Sequence, residues 1–343
     1  MLALRKLSAD ATTLALTEVP VPEPGPGEVR LAVTATGMCG TDLHILHGDY
    51  VVRTPVTLGH EIAGVVDITG PGVDPSWIGA LVAPETAFGT CGRCDWCRTA
   101  RPMLCRERLS VGSGVDGGFA PFVVVPAGKL HRLPDALDDH DAALLEPLAC
   151  VCNSLTDPGV IQPGDRVLVS GPGPVGLLAA QVARIAGGEV VVVGTAVDGE
   201  RLQVAERLGF ETRNLAVGAD TEALEREAAD RRIDVVVECA GVGAAVRAGI
   251  GWLRPRGTLV QVGLLSGDIA LPFGDIVYRE LSVRATFGSS PASWLRAGRL
   301  VADDRVELLP LISEVVSLGD WTTALHRLER REGLKTVIDP RRP

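Results

Sequence analysis

The chain lacks any stretch that reads as a membrane span. A helix crossing a bilayer needs about 20 consecutive apolar residues, and the apolar runs here are short and interrupted, as Arg184 interrupts LLAAQVARIAGG. Positive charge is also in short supply. The 33 Lys and Arg against 43 Asp and Glu leave a formal charge of −10, the wrong sign for a phosphate-backbone partner. Neither nucleic acid nor membrane is therefore expected as a partner. Lysine is scarcer still: only Lys6, Lys129 and Lys335 among the 33 basic residues are lysines. That bias, alongside abundant Ala and Gly, reads as a GC-rich codon habit rather than an adaptation to phosphate. The opening residues MLALRKLSAD lack the apolar run and small-residue cleavage site of a secretory signal, and a cytoplasmic location is expected. No internal repeat or low-complexity tract occurs, and the charge run EALEREAADRR (222–232) reads as a solvated helix face.

Cysteine is sparse, yet four of the eight, Cys91, Cys94, Cys97 and Cys105, crowd into CGRCDWCRTARPMLC. In a reducing compartment such a cluster reads as metal ligands or redox groups rather than disulfides. A redox pair would need its CxxC at a helix start beside a strand and would leave the other two thiols idle. An iron–sulfur cluster uses other common spacings. The two-residue gaps let successive thiolates face one cavity around a turn that Gly92 eases, and Cys105 closes a tetrahedral S4 cage. Such a site holds Zn²⁺ at about 2.3 Å per sulfur with no open position, so its role is structural. In zinc peptides this binding is worth about 10–16 kcal/mol, enough to fix a loop.

With 343 residues and 46% apolar content the chain has material for two cores. Up to about residue 130 it is β-rich: EVRLAVTAT, EIAGVVDI and GFAPFVVV are short strand-like runs bounded by Gly and Pro, and PVPEPGPGE (20–28) is a turn-rich connection. After about residue 155 strand-like and helix-like runs alternate, from DRVLVS to TLVQVG. That order predicts a doubly wound parallel α/β sheet of Rossmann type. A strand-then-helix stretch is expected from about Ser290 to the end.

GPGPVG (171–176) follows the buried strand RVLVS and opens a helix with apolar Val175, Leu178, Val182 and Ile185. In that context GxGxxG is a dinucleotide fingerprint. Gly171 permits the tight turn, Gly173 lets a pyrophosphate approach, and Gly176 allows close helix–strand packing. The helix N-terminus supplies N–H groups to the phosphates. The tip of the next strand, where an acid usually reads the adenosine ribose, holds Thr195, and the nearest acid is Asp198. Lack of that acid favours NADP, Asp198 and Glu200 oppose it, and Arg201 is a candidate phosphate partner. NAD and NADP both stay open.

MCGTDLH (38–44) and LGHE (58–61) place one thiol and one imidazole beside strand-like segments. With a carboxylate, and a water or substrate, they suit a second, catalytic Zn²⁺. Taken in order, Cys39-Gly-Thr-Asp, Gly59-His60-Glu61, the cysteine cluster, Glu146-Pro147 and the glycine loop resemble the zinc-dependent medium-chain alcohol and polyol dehydrogenases over nearly the whole chain. LLEPLAC (144–150) is more similar to their sorbitol and threonine dehydrogenase branch. The resemblance implies a β-rich GroES-like catalytic domain over 1–151 and 290–343 holding both zinc sites, and a Rossmann domain over 152–289. It implies Cys39 and His60 as zinc ligands, with Glu61 and Glu146 competing for the third place. Two Zn²⁺ per chain and NAD or NADP are the implied cofactors, with Pro174, Val175, Thr195 and Val262 completing the glycine-loop contacts.

The reaction so implied is hydride transfer from a secondary alcohol to the nicotinamide, giving the ketone. A bound metal lowers a hydroxyl pKa, as it takes water from about 16 to about 7. Thr41 takes the hydroxyl proton, His44 passes it outward, and Glu146 is the third catalytic candidate. The arginine with which sorbitol dehydrogenases hold substrate hydroxyls is missing from Phe287-Gly288-Ser289-Ser290. The aromatic pocket of simple alcohol dehydrogenases is not evident either. Ile45, Tyr50 and Phe122 are the candidate lining residues, more as packing than as contacts. A polyol, sugar or cyclitol is therefore expected as the small-molecule substrate. A threonine-type or simple alcohol dehydrogenase, and a non-catalytic nucleotide-sensing relative, are the alternatives. Related proteins imply a homo-oligomer, dimer or tetramer.

Overall fold

A computed structural model describes residues 1–8, 13–134 and 137–342. The chain divides into two compact units, one of Met1–Ala149 with Ser289–Pro343 and one of Cys150–Gly288. No described helix is long and apolar enough to cross a membrane.

The first unit is built on a seven-stranded sheet. Its path runs Leu130–Arg132, Leu81–Pro84, Glu61–Thr69, Glu28–Gly37, Lys335–Ile338 and Ile312–Val316, and Phe122–Pro126 also pairs with Glu28–Gly37. Strand Glu28–Gly37 alternates, burying Val29, Leu31 and Val33 in a core with Ile62, Val66, Val82, Val123 and Val125. This period of two is what a pleated strand with one buried face requires. The register places Gly37 opposite Glu61 on one side and opposite Val337 on the other. The ends of three strands distant in sequence thus meet at one corner, two residues before Cys39.

The second unit is a six-stranded parallel sheet in the order Glu211–Asn214, Glu189–Gly194, Arg166–Ser170, Ile233–Glu238, Leu253–Gln261, Ser282–Ala285. The two halves diverge from the pair Arg166–Ser170 and Ile233–Glu238, and that switch point is where open α/β sheets bind ligands. Helices Pro174–Ile185, Gly199–Arg207, Gly218–Ala229 and Gly243–Trp252 connect the strands. A core of Leu168, Val191, Val193, Val236, Ile250 and Leu259 fixes the unit.

Two features depart from the expected pattern. Strand Glu211–Asn214 (ETRN) has no apolar face; it forms because its backbone completes the sheet edge beside Glu189–Gly194. The stretch after Ser290 opens with a helix, Pro291–Ala302, and not with a strand. Ser290 Oγ accepts from Ser293 N at 3.1 Å, Ser293 Oγ accepts from Ser290 N at 2.9 Å, and Pro291 takes the first helical position. The serine pair forms a capping box, and proline at the first helical position has no N–H that needs a partner. The run EALEREAADRR begins in helix Gly218–Ala229, where Leu224 is the one buried side chain, and its last three residues lie beyond the helix end. We expect Ser290→Ala to lower unfolding free energy by about 1 kcal/mol, read as a shift of the urea midpoint at unchanged slope.

Candidate active site

Cys39 is the N-cap of helix Gly40–His47, in extended conformation at φ −128°. Its N–H donates to Asp42 Oδ2 at 2.9 Å, so the first turn locks the cysteine at the strand exit. Its Sγ lies 3.7 Å from Thr41 Oγ1. His44, three residues after Thr41 and on the same helix face, is partly exposed, with Nδ1 3.8 Å from Asp49 Oδ2.

His60 and Glu61 enter from the neighbouring strand. Gly59 has φ +91°, and a β-carbon there would lie 2.8 Å from Phe119 N, so glycine is required before the histidine. A β-carbon at Gly37 would overlap the Glu61 carboxylate, so the opposite glycine is what gives that acid its space. One ligand atom each from Cys39, His60 and Glu61 lie within 4.8 Å of one another. Thiol, imidazole and carboxylate are a donor set that fits Zn²⁺. Glu146, in the first turn of helix Leu145–Leu155, is buried and lies outside that compact triple, though its charge acts on His60.

The electrostatics point to a cation as well. Burial by itself would depress His60, but its hydrogen bond to Cys39 and the charges of Cys39, Asp42 and Glu146 outweigh burial. They hold the imidazole pKa well above its usual value. A cluster of anionic donors that clings to a proton is one that a divalent cation would satisfy. Asp42 is buried, and burial pushes its carboxyl pKa up. Its Oδ1 has no hydrogen-bond partner among the described residues and stands 3.8 Å from His60 Nδ1, placing a carboxylate behind a metal-type histidine. Lys335 adds the balancing charge. Its Nζ donates to Glu61 Oε1 at 2.8 Å, Glu61 Oε2 at 2.7 Å and Met38 O at 2.8 Å, satisfying all three donors. Neither Asp42 nor Lys335 was singled out from the sequence. The spacing of Asp42 three residues after an N-cap, and the rarity of lysine, were the available signals.

The four thiols of the cysteine loop also converge. Sulfur separations are 3.5 Å for Cys94–Cys97, 3.7 Å for Cys91–Cys105 and 3.9 Å for Cys91–Cys97. A tetrahedral cage with bonds of about 2.3 Å has edges of about 3.8 Å, so these thiols fit a closed zinc site. Gly92 turns the chain at φ +65° and Cys94 caps helix Asp95–Arg98. Backbone N–H groups of Arg93 and Cys94 pull the Cys91 thiol down to about 6. Cys94 is pushed up to about 11, because burial and the neighbouring thiols outweigh the backbone N–H of Cys97.

In the second unit Gly171 has φ +94°, and its β-carbon would lie 2.8 Å from Ala240 N. Gly173 caps helix Pro174–Ile185 with open space around its α-carbon, Pro174 is the first helical residue and Val175 follows in the first turn. A β-carbon at Gly176 would overlap Gly171 O. The N–H groups of this turn are therefore left to an anion. At the next strand tip Thr195 N and Oγ1 donate to Asp198 Oδ2 at 2.9 and 2.8 Å, and Arg201 Nη1 is 3.6 Å from Asp198 Oδ1. Asp198 and Arg201 are thus engaged with each other. Val262 N donates to Glu238 O at 2.9 Å.

The serines standing where an arginine was missed are occupied structurally. Ser289 Oγ accepts from Trp294 Nε1 at 2.9 Å, and Ser290 caps its helix. Of the candidate lining residues, Ile45 is buried in a core with Leu4, Met38 and Phe119, and Tyr50 packs against that core. Phe122 lies under the Arg30 guanidinium at 5.0 Å.

Residues 25–135 match the family described as alcohol dehydrogenase GroES-like domain, and residues 174–303 match zinc-binding dehydrogenase. The chain is 37% identical to a sorbitol dehydrogenase of Halalkalibacterium halodurans, covering 99% of each. It is 35% identical to an L-threonine 3-dehydrogenase of Streptomyces avermitilis, covering 94% of this chain and 95% of that protein. A Sinorhizobium meliloti 1021 structure bound to NADP superposes with TM-score 0.89 at 32% identity, covering 99% of both chains. An Escherichia coli CFT073 alcohol dehydrogenase complexed with NADH gives TM-score 0.88 at 25% identity, again over 99% of both.

Metal analysis should find two zincs per chain, and one in Cys94→Ser. A depressed thiol favours the deprotonated, metal-binding form above its pKa. Because protons compete with the ion for the thiolates, zinc released to a chromophoric chelator should rise as pH falls. Removing one partner of a buried ion pair costs about 3–5 kcal/mol, so Lys335→Met should show a loss of that order in denaturant unfolding of the zinc-depleted protein.

Proposed function

The chain belongs to the zinc-dependent medium-chain alcohol and polyol dehydrogenases, and on that footing we propose which residues do its chemistry and on what class of substrate. The protein is a zinc- and NAD(P)-dependent alcohol oxidoreductase. Its substrate is a secondary alcohol bearing several hydroxyls, a polyol, sugar or cyclitol, which it oxidises to the ketone. The likeness to a sorbitol dehydrogenase supports this class. A threonine-type reaction is the second reading, supported by likeness to an L-threonine 3-dehydrogenase at nearly the same identity.

The observation that carries the site assignment is the convergence of Cys39, His60 and Glu61 ligand atoms within 4.8 Å. These three would hold the catalytic zinc, with Glu146 as the competing carboxylate for the third place. Cys91, Cys94, Cys97 and Cys105 would hold a second zinc that serves the fold. When bound, the catalytic ion supplies Lewis-acid polarisation of the substrate hydroxyl. Lys335 shares the Glu61 charge and so keeps that carboxylate a weaker donor. Thr41 Oγ1 accepts the hydroxyl proton as it releases its own, and His44, on the same helix face and partly exposed, takes the released proton and passes it toward solvent. Gly171, Gly173, Pro174, Val175 and Gly176 take the dinucleotide phosphates, Thr195 faces the adenosine ribose, and Val262 lies on the nicotinamide side. With Ser289 and Ser290 committed to structure, substrate hydroxyls are read by other side chains.

Thiols clustered at metal-ligand distances support a reducing, cytoplasmic location. A homo-oligomer is proposed as well. Strand Ser282–Ala285 is exposed throughout at the sheet edge, beside exposed Phe273, Val277 and Tyr278, and an open edge of that kind invites pairing.

Polyols, sugars, cyclitols and L-threonine assayed with both dinucleotides, by the absorbance of reduced nicotinamide, should single out a polyhydroxylated substrate; turnover of L-threonine alone would reverse the order of the two readings. Cys39→Ser should abolish turnover while the melting temperature is held, and full activity there would refute the assignment of the catalytic ligands. Val283→Lys should reduce the mass measured by light scattering to that of one chain.

A further inference from the structure

Glu238 is fully buried, yet hydride transfer and metal binding give it no task. It ends strand Ile233–Glu238, one of the two strands at the switch point of the parallel sheet. Its Oε1 accepts from Ala240 N at 2.8 Å and Gly241 N at 3.0 Å, and its Oε2 accepts from Gly241 N at 3.2 Å and from Gln261 Nε2. Gln261 Nε2 also donates to Gly263 O at 2.7 Å. The Glu238 carbonyl accepts from Val262 N and Gly263 N, each at 2.9 Å. One residue therefore ties the turn after its own strand to the turn after the neighbouring strand.

Those turns press on the phosphate loop and on each other. Cys239 N donates to Ser170 O at 2.8 Å, and a β-carbon at Gly171 would lie 2.8–2.9 Å from Ala240. A β-carbon at Gly263 would lie 2.5 Å from Gly241 N and 3.0 Å from Glu238 Oε2. The packing leaves no slack. The choice of acid over amide also has a reason. Every group facing this side chain is a donor, and only an ionised carboxylate accepts throughout. A glutamine would turn its own NH2 toward that of Gln261.

We propose that Glu238 is a positioning residue for the nicotinamide dinucleotide, joining turn 239–242, against which the phosphate-binding Gly171 packs, to turn 261–264 so that both halves of the cofactor site are held as one body. This rests on the assignment of the glycine loop and Val262 to the cofactor. The unit acts through the Glu238–Gln261 pair, so breaking it from either side has the same consequence.

The test is binding of NADH and NADPH to the zinc-loaded protein, read by calorimetry, with steady-state kinetics alongside. Glu238→Gln and Gln261→Leu should each weaken binding about tenfold, equal to about 1.4 kcal/mol. They should raise KM for the dinucleotide while kcat at saturating cofactor stays within about twofold. The double variant should bind no more weakly than either single one. Unchanged dissociation constants with a lowered melting temperature would make Glu238 purely structural, and additive losses would refute the paired unit. If Glu238→Gln does not fold, Gln261→Leu alone decides between unchanged and weakened binding. Gly173→Asp is the separate check, since a carboxylate there should abolish binding; retained binding would overturn the glycine-loop assignment and not the pairing of Glu238 with Gln261.

Discussion

The register of three adjacent strands is the constraint on which the corner of Cys39, His60 and Glu61 depends. Gly37 faces Glu61 across one strand pair and Val337 across the other. Its missing side chain makes room for the Glu61 carboxylate, Cys39 follows where the strand gives way to a helix, and Lys335 approaches from the third strand. A slip of one residue in either pairing would turn every side chain to the opposite face and take the carboxylate, the ammonium or both out of the corner. The site's precision comes from sheet pairing, which is rigid, with loops supplying only Cys39 and His60 at its rim.

At Lys335 and Glu238 the buried charge matches the count of donors and acceptors around it. Lys335 has three donors and finds three acceptors. An arginine would bring five donors in a planar fork to the same three, which is the physical reason for a lysine here in a chain that otherwise uses arginine. Lys129, partly exposed, donates to the buried Glu85 at 2.8 Å. Glu238 is the complement, an acceptor-only group among donors. Asp198 serves likewise at the strand tip, where it caps Thr195 and pairs with Arg201.

What could be read from the sequence was what lies within a few residues of itself. The cysteine loop and the glycine loop carry their chemistry in short windows, because a knuckle and a strand–turn–helix are local structures. Cys39 and His60 were legible through their flanking residues. Lys335 was not, since it lies 274 positions from Glu61 and nothing near it announces a partner. Asp42 was hidden by its ordinary look as an acid in a first helical turn. Strand Glu211–Asn214 escaped because a sheet edge can recruit a polar segment through backbone bonds alone. The two serines after Gly288 looked like free hydroxyls until the indole of Trp294 and a helix N-terminus claimed them.

By itself the sequence determined the two kinds of core, the closed thiol cage, the dinucleotide fingerprint and the thiol–imidazole pair, because periodicity and ligand spacing act over one or two turns of chain. Tertiary structure alone decided that Glu61 joins Cys39 and His60 in the compact triple while Glu146 stands outside it, that Lys335 balances their charge, and that Glu238 ties two turns of the parallel sheet together. Those outcomes depend on which strands are neighbours and in what register, and long-range pairing is set by the sum of core packing rather than by any local motif.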